Sequence, residues 1–226
     1  MAGQIIIVNG TSGSGKSTAC ELFSKRADDF WLVYGIDHFM GSTFPRAFGH
    51  GGDRCREGIF AHPLHADDPE GTLRWSMSEQ GLRAFGVFHE WIASASRGGC
   101  NIIIDHLLIP DPPLLQDCIR RLENLPVLLV TLKPDYEVLL QRVEERTIGN
   151  RFSNSNYDSE QVRQSRERLA RLRPWFYEAI YSNDICDLEI DTVKHSPESV
   201  CEQIERRLQS GPGTAFDRLR EKYPGD

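Results

Sequence analysis

One stretch near the start of this chain constrains its fold more than any other. Gly10-Thr-Ser-Gly-Ser-Gly15-Lys16-Ser17 fills every fixed position of the pattern G-x-x-x-x-G-K-[ST]. It lies between the apolar run Gln4-Ile-Ile-Ile-Val8 and a segment in which Ala19, Leu22, Phe23 and Ala27 recur at helical spacing. Glycines let successive backbone amides turn inward without Cβ clashes, and the helix N-terminus adds unpaired donors and partial positive charge. A strand, a glycine turn and a helix in that order hold phosphate groups. The expected nucleotide-binding residues are therefore Gly10, Thr11, Ser12, Gly13, Ser14, Gly15, Lys16, Ser17 and Thr18. In this pattern Lys16 reaches the β- and γ-phosphates and the Ser17 hydroxyl sits on magnesium, so ATP and Mg²⁺ are the expected ligands.

The rest of the chain repeats the alternation. Trp31–Ile36, Asn101–Ile104, Val127–Leu132 and Cys186–Ile190 are short and apolar or nearly so. Helical patterns begin near Ser17, Ser78, Asp111-Pro112, Pro134 and Pro197, and a long Arg-rich one follows residues 149–158. Apolar strands separated by helices predict an α/β fold, a parallel sheet of about five strands with helices on both faces. Residues 40–76 hold many Gly, His, Pro and Asp with no clean period, which predicts an irregular substrate cap. The Gly-, Asn- and Ser-rich break and the Arg-rich stretch after it (147–175) predict a lid or arm. One domain over 1–210 is expected, with 211–226 as a short appendage.

Composition removes some function classes. A net charge of -7 argues against a general nucleic-acid binder. No apolar run approaches the ~20 residues of a membrane span, and the run before Gly10 is too short for a signal peptide. Six scattered cysteines without a Cys-x-x-Cys pair read as reduced thiols of a cytoplasmic protein.

Ligands of open α/β sheets bind beyond the carboxyl ends of the strands. Asp37 and Asp105 stand there, after Trp31–Ile36 and Asn101–Ile104. The apolar run ending in Asp105 gives it the metal role beside Ser17. Asp37 faces the cap and is expected to take the proton of an attacking hydroxyl, although position alone allows the reverse assignment. Arg142 and Arg146, four apart on one predicted helix face, and Arg151 beyond the break are expected to neutralise charge on the transferring phosphoryl group. Arg163, Arg166, Arg168, Arg171 and Arg173 interleave with glutamates and read as a solvated, salt-bridged face. His38, Phe39, Met40, Trp75 and His106 join Asp37 and Asp105 as expected acceptor contacts. The spacing of His50, His62 and His65 matches no zinc pattern.

Taken together, several stretches resemble the chloramphenicol phosphotransferase family. They are Ile5-Ile-Ile-Val-Asn-Gly with its glycine loop, Trp31-Leu-Val-Tyr-Gly-Ile-Asp37, Asn101-Ile-Ile-Ile-Asp105, the Arg142/Arg146/Arg151 set and Cys186-Asp-Leu-Glu-Ile-Asp-Thr192. The resemblance implies that Asp37 is the base that deprotonates the acceptor hydroxyl. His38 and His106 stand where that family tends to carry a small hydroxyl residue and a second Asp. The expectation is an ATP-dependent kinase acting on a hydroxyl of a small molecule, possible acceptors including an antibiotic. The alternatives are a kinase for a nucleoside, nucleotide sugar or other metabolite, and a regulatory NTPase acting on a protein or RNA partner.

Overall fold

The computed structural model describes residues 1–145 and 159–224. In chain order it contains β1 (Ile5–Asn9), α1 (Lys16–Arg26), β2 (Trp31–Gly35), the single turn α2 (Ile36–His38), β3 (Ile59–Pro63), β4 (Leu73–Met77), α3 (Glu79–Arg97) and β5 (Asn101–His106). There follow α4 (Leu114–Arg121), β6 (Val127–Leu132), α5 (Tyr136–Glu145), α6 (Ser159–Tyr181), β7 (Leu188–Ile190), α7 (Pro197–Gln209) and α8 (Ala215–Lys222).

Five strands form one parallel sheet in the order β2-β5-β1-β6-β7. Its central strands β5, β1 and β6 are buried almost throughout and mostly apolar because both faces are covered. Successive side chains of a strand point to opposite faces, so Ile5 and Ile7 enter one core cluster and Ile6 and Val8 the other. The first cluster is closed by Phe85, Phe88 and Ile92 of α3, by Leu115 and Ile119 of α4 and by Phe216 and Leu219 of α8. The second is closed by Ala19, Cys20 and Phe23 of α1 and by Val200, Cys201 and Ile204 of α7. The predicted α/β sheet is thus the observed one.

Two segments differ from their reading in the sequence. Residues 40–76 are not irregular throughout: β3 and β4 pair antiparallel, Ile59 opposite Met77 and Ala61 opposite Trp75. Ile59, Leu73 and Trp75 turn inward, a period of two that His62, Pro63 and Arg74 hide when the sequence is read alone. The segment after Gly211, read as a short appendage, packs onto the core, because α8 buries Ala215, Phe216 and Leu219. All six cysteines are unpaired thiols. Among the described residues, no helix is long and apolar enough to cross a membrane.

Candidate active site

Sheet register brings the separate motifs to one edge. β1 and β5 run side by side with Val8 opposite Asp105 and Asn9 opposite His106, while Gly35 of β2 lies opposite Asp105. The turn after β1, the carboxylate at the end of β5 and the short helix after β2 therefore meet beyond the carboxyl ends of adjacent strands. β1, between β5 and β6, is where the chain changes direction across the sheet, and ligands of such folds sit at this point.

The turn is shaped for an anion. Gly15 caps α1 in the left-handed region (φ 97°), which favours glycine, and no side chain caps the helix. The first amides of α1 are thus left to a ligand. Lys16 is buried and its Nζ donates to the Thr11 carbonyl at 2.9 Å, folded back over the loop.

Asp105 is the hinge of the site. Its Oδ2 accepts from Ser17 Oγ at 2.7 Å and its Oδ1 from the Ile36 amide at 3.2 Å. One buried carboxylate thus ties the head of α1 to the residue immediately before Asp37. Gly35 makes room for it, because a Cβ there would come within 2.1 Å of Oδ1. Asp37 itself is exposed on α2. A hydroxyl and a carboxylate oxygen in contact are hard donors of the kind magnesium takes.

Beside the turn lies a cavity of about 360 Å³. Gly13, Ser14 and Gly15 form one wall with Thr18 and Ala19 of α1. Arg142 of α5 and Thr192, His195 and Pro197 beyond β7 form the other. The Arg142 guanidinium donates to Thr192 Oγ1 at 3.0 Å and to the Thr192 carbonyl at 2.7 Å. That places Arg142 on the wall of this cavity, next to the loop. Arg146 and Arg151 lie outside the described residues.

Among the expected acceptor contacts, His38 is exposed with its ring stacked on Tyr34, Met40 is half-buried and Phe39 is buried against Phe85 and Phe88. Two others are turned away. Trp75 is 3% exposed, enclosed by Phe85, Phe176 and the stacked ring of His50, to which its Nε1 donates. His106 is fully buried. Its Nδ1 accepts from the Leu107 amide at 2.7 Å, so its Nε2 carries the proton and donates to His89 Nε2 at 2.9 Å. His89 Nδ1 then donates to Asp117 at 2.7 Å. Burial holds the pKa of both rings below that of a free histidine. Cys118 brings a third donor atom within 4.8 Å of the two histidines, but this chain already employs all four ring nitrogens.

Three features were missed in the sequence. Asn9 Oδ1 accepts from the Leu108 amide at 2.8 Å and anchors the start of the turn, a role the Val-Asn-Gly run could have suggested. Tyr181 touches the phosphate loop from the end of α6, with nothing local to announce it. Arg171 departs from the solvated face it was assigned to. It donates to the Gly71 carbonyl at 2.8 Å and the Pro69 carbonyl at 2.5 Å, gripping the β3–β4 loop, while Arg163 pairs with Glu167 as expected of that face.

Comparison with known proteins fits this geometry. The family model described as chloramphenicol phosphotransferase-like protein matches residues 3–209. The chain belongs to the chloramphenicol phosphotransferase-like family. No curated protein matches it. Similar solved structures include a sugar kinase from Janibacter sp. HTCC2649, 20% identical, covering 92% of this chain and 95% of that one, with a TM-score of 0.52. The Mycobacterium tuberculosis APS kinase, in complex with AMPPNP and APS, is 10% identical over 92% of this chain and 98% of its own, with a TM-score of 0.57. At these identities the structures establish the fold. The family, on that fold and with an intact phosphate loop, supports a small-molecule kinase.

Proposed function

We propose that this family member is an ATP-dependent kinase that transfers the γ-phosphoryl group to a hydroxyl of a small molecule, with Asp37 as the general base. The observation that carries the reading is the Asp105 carboxylate, in contact with Ser17 at the head of the phosphate loop and with the amide preceding Asp37. It supports a site in which the nucleotide half and the acceptor half meet at one point.

In this reading the loop from Gly10 to Thr18 and the neighbouring cavity hold ATP. The adenine of ATP would lie against Thr192, His195 and Pro197, with Arg142 beside it on the cavity wall. Ser17 and Asp105 would hold magnesium, which supplies positive charge to the β- and γ-phosphates. Lys16 leaves the Thr11 carbonyl to meet the phosphate oxygens. Asp37 takes the proton of the acceptor hydroxyl as its oxygen attacks phosphorus in line, a contribution of about 10²–10⁴ in rate. Arg146 and Arg151 are proposed as lid cations. Residues 38–76 are proposed to hold the acceptor, with His38 and Met40 nearest Asp37 in the chain. Cap, lid and nucleotide site are proposed as parts of one catalytic domain.

The family points to hydroxylated antibiotics as the first acceptors to try. The test is ADP release with ATP and magnesium across hydroxylated antibiotics, nucleosides, nucleotide sugars and sugars, with products weighed by mass spectrometry. An acceptor gaining one phosphoryl group supports the proposal. Turnover that responds to a protein or RNA and to no small hydroxyl compound would replace it with a regulatory NTPase.

A further inference from the structure

The hydroxyl of Tyr181, the last residue of α6, sits where three parts of the molecule meet. It donates to the Leu132 carbonyl, at the end of β6, at 2.6 Å. It accepts from the Thr11 amide at 3.2 Å and lies 3.4 Å from Thr11 Oγ1. The phenol thus donates to Leu132 and accepts from the Thr11 amide, so both of its functions are used here. Burial raises its pKa, so the donor persists at neutral pH. The Leu132 carbonyl that it fixes lies under the first glycine of the loop, since a Cβ on Gly10 would come within 2.7 Å of that oxygen.

The ring is held as firmly as the hydroxyl. Tyr177, one turn earlier on α6, packs edge-on against it at 4.8 Å and against Tyr136 of α5 at 4.8 Å, and Tyr177 donates to the Pro134 carbonyl. The helices on either side of the segment that contains Arg146 and Arg151 are thus joined at their bases. That joint is bonded to the second residue of the phosphate-binding motif.

We propose that Tyr181 is a positioning residue of the nucleotide site, its hydroxyl fixing the start of the phosphate loop for the β- and γ-phosphates. The inference rests on the reading of this site as an ATP site. In a phosphate loop the amides are the ligands, and a displacement of Thr11 near the loop's start moves those that follow. The Thr11 amide is directed to Tyr181, which gives the loop a fixed end from which to turn.

The test compares Tyr181→Phe with Tyr177→Phe, each losing one hydroxyl from the same helix. Titration calorimetry with ATP and magnesium reads affinity without an acceptor, AMP binding is read by competition, and thermal melting checks folding. The Tyr181 variant is expected to bind ATP about threefold to tenfold more weakly, the share of one hydrogen bond. It should bind AMP as the parent does and melt within a few degrees of it. The Tyr177 variant, which loses only the bond to Pro134, should bind ATP within about twofold of the parent. Unchanged ATP affinity in Tyr181→Phe overturns the proposal, and so does an equal loss for AMP and ATP, which marks a general structural role. If the parent protein itself fails to bind ATP, the reading of the site as a nucleotide site falls, and this inference with it.

Discussion

Each oxygen of Asp105 is committed, one to Ser17 and one to the Ile36 amide, so the residues around it have little freedom. Gly35→Ala tests this closeness. The added methyl would drive into the carboxylate at 2.1 Å, displacing Asp105 from Ser17 and Asp37 from the acceptor. Misplacements of about 1 Å can cost on the order of 10²-fold in rate, and kcat is expected to fall by about that much while circular dichroism shows the fold intact. Wild-type turnover in that variant would mean that the contact does not matter for activity. At this scale the sequence was informative wherever the proposed site is built from consecutive residues. The loop from Gly10 to Thr18, Asp37 and Asp105 could all be placed by a motif or a strand end. Tyr181 could not, because its partner Thr11 is 170 positions away and no local pattern encodes such a contact. Trp75 and His106 misled for a related reason: a large ring or an imidazole next to a functional segment reads the same whether it faces a ligand or the core.

Among the elements, the central strands β5, β1 and β6 were legible because burial on both faces leaves a largely apolar run in the sequence. The β3–β4 pair was not, since it buries one face only and carries polar residues and a proline on the other. α8 escaped because Asp, Arg and Lys outnumber the residues it buries. Its burial is nonetheless complete enough to test: Phe216, 4% exposed, joins the core. Phe216→Ala should lower the free energy of unfolding in urea by about 3–5 kcal/mol. A change below about 1 kcal/mol would show that α8 is dispensable to the core. Arg171 offers a second test at this scale. Arg171→Ala removes the grip on the carbonyls of Pro69 and Gly71, and amide hydrogen exchange in residues 64–72 should speed up with ATP affinity unchanged. Unchanged exchange there would show that α6 does not hold the cap.

On the scale of the whole molecule, the two ends of the cap are held together partly by a histidine that must stay neutral. His50 lies flat on Trp75 and accepts its Nε1–H. Burial, with the nearby Arg168 as a smaller cause, lowers its pKa to about 3. A folded-state pKa below the unfolded value of about 6.5 means that the unfolded chain takes up the proton more readily. This contribution to stability is complete above about pH 6.5 and declines as pH falls from there towards 3. The melting temperature should therefore drop between pH 6.5 and 4, and less steeply in His50→Gln than in the parent. Identical slopes in the two proteins would remove His50 from the acid response. In the proposed reading the choice of acceptor rests with the cap, the part of the fold that sequence periodicity resolved least.

In the proposed reaction, phosphoryl transfer runs from a nucleotide on the phosphate loop to a hydroxyl deprotonated by Asp37. The most direct measurement compares Asp37→Asn with the parent, using the first acceptor that gains a phosphoryl group, under saturating ATP and magnesium. The variant is expected to bind ATP with parental affinity while kcat falls by about 10²–10⁴. An unchanged rate of phosphorylated product would contradict it and remove Asp37 from the reaction.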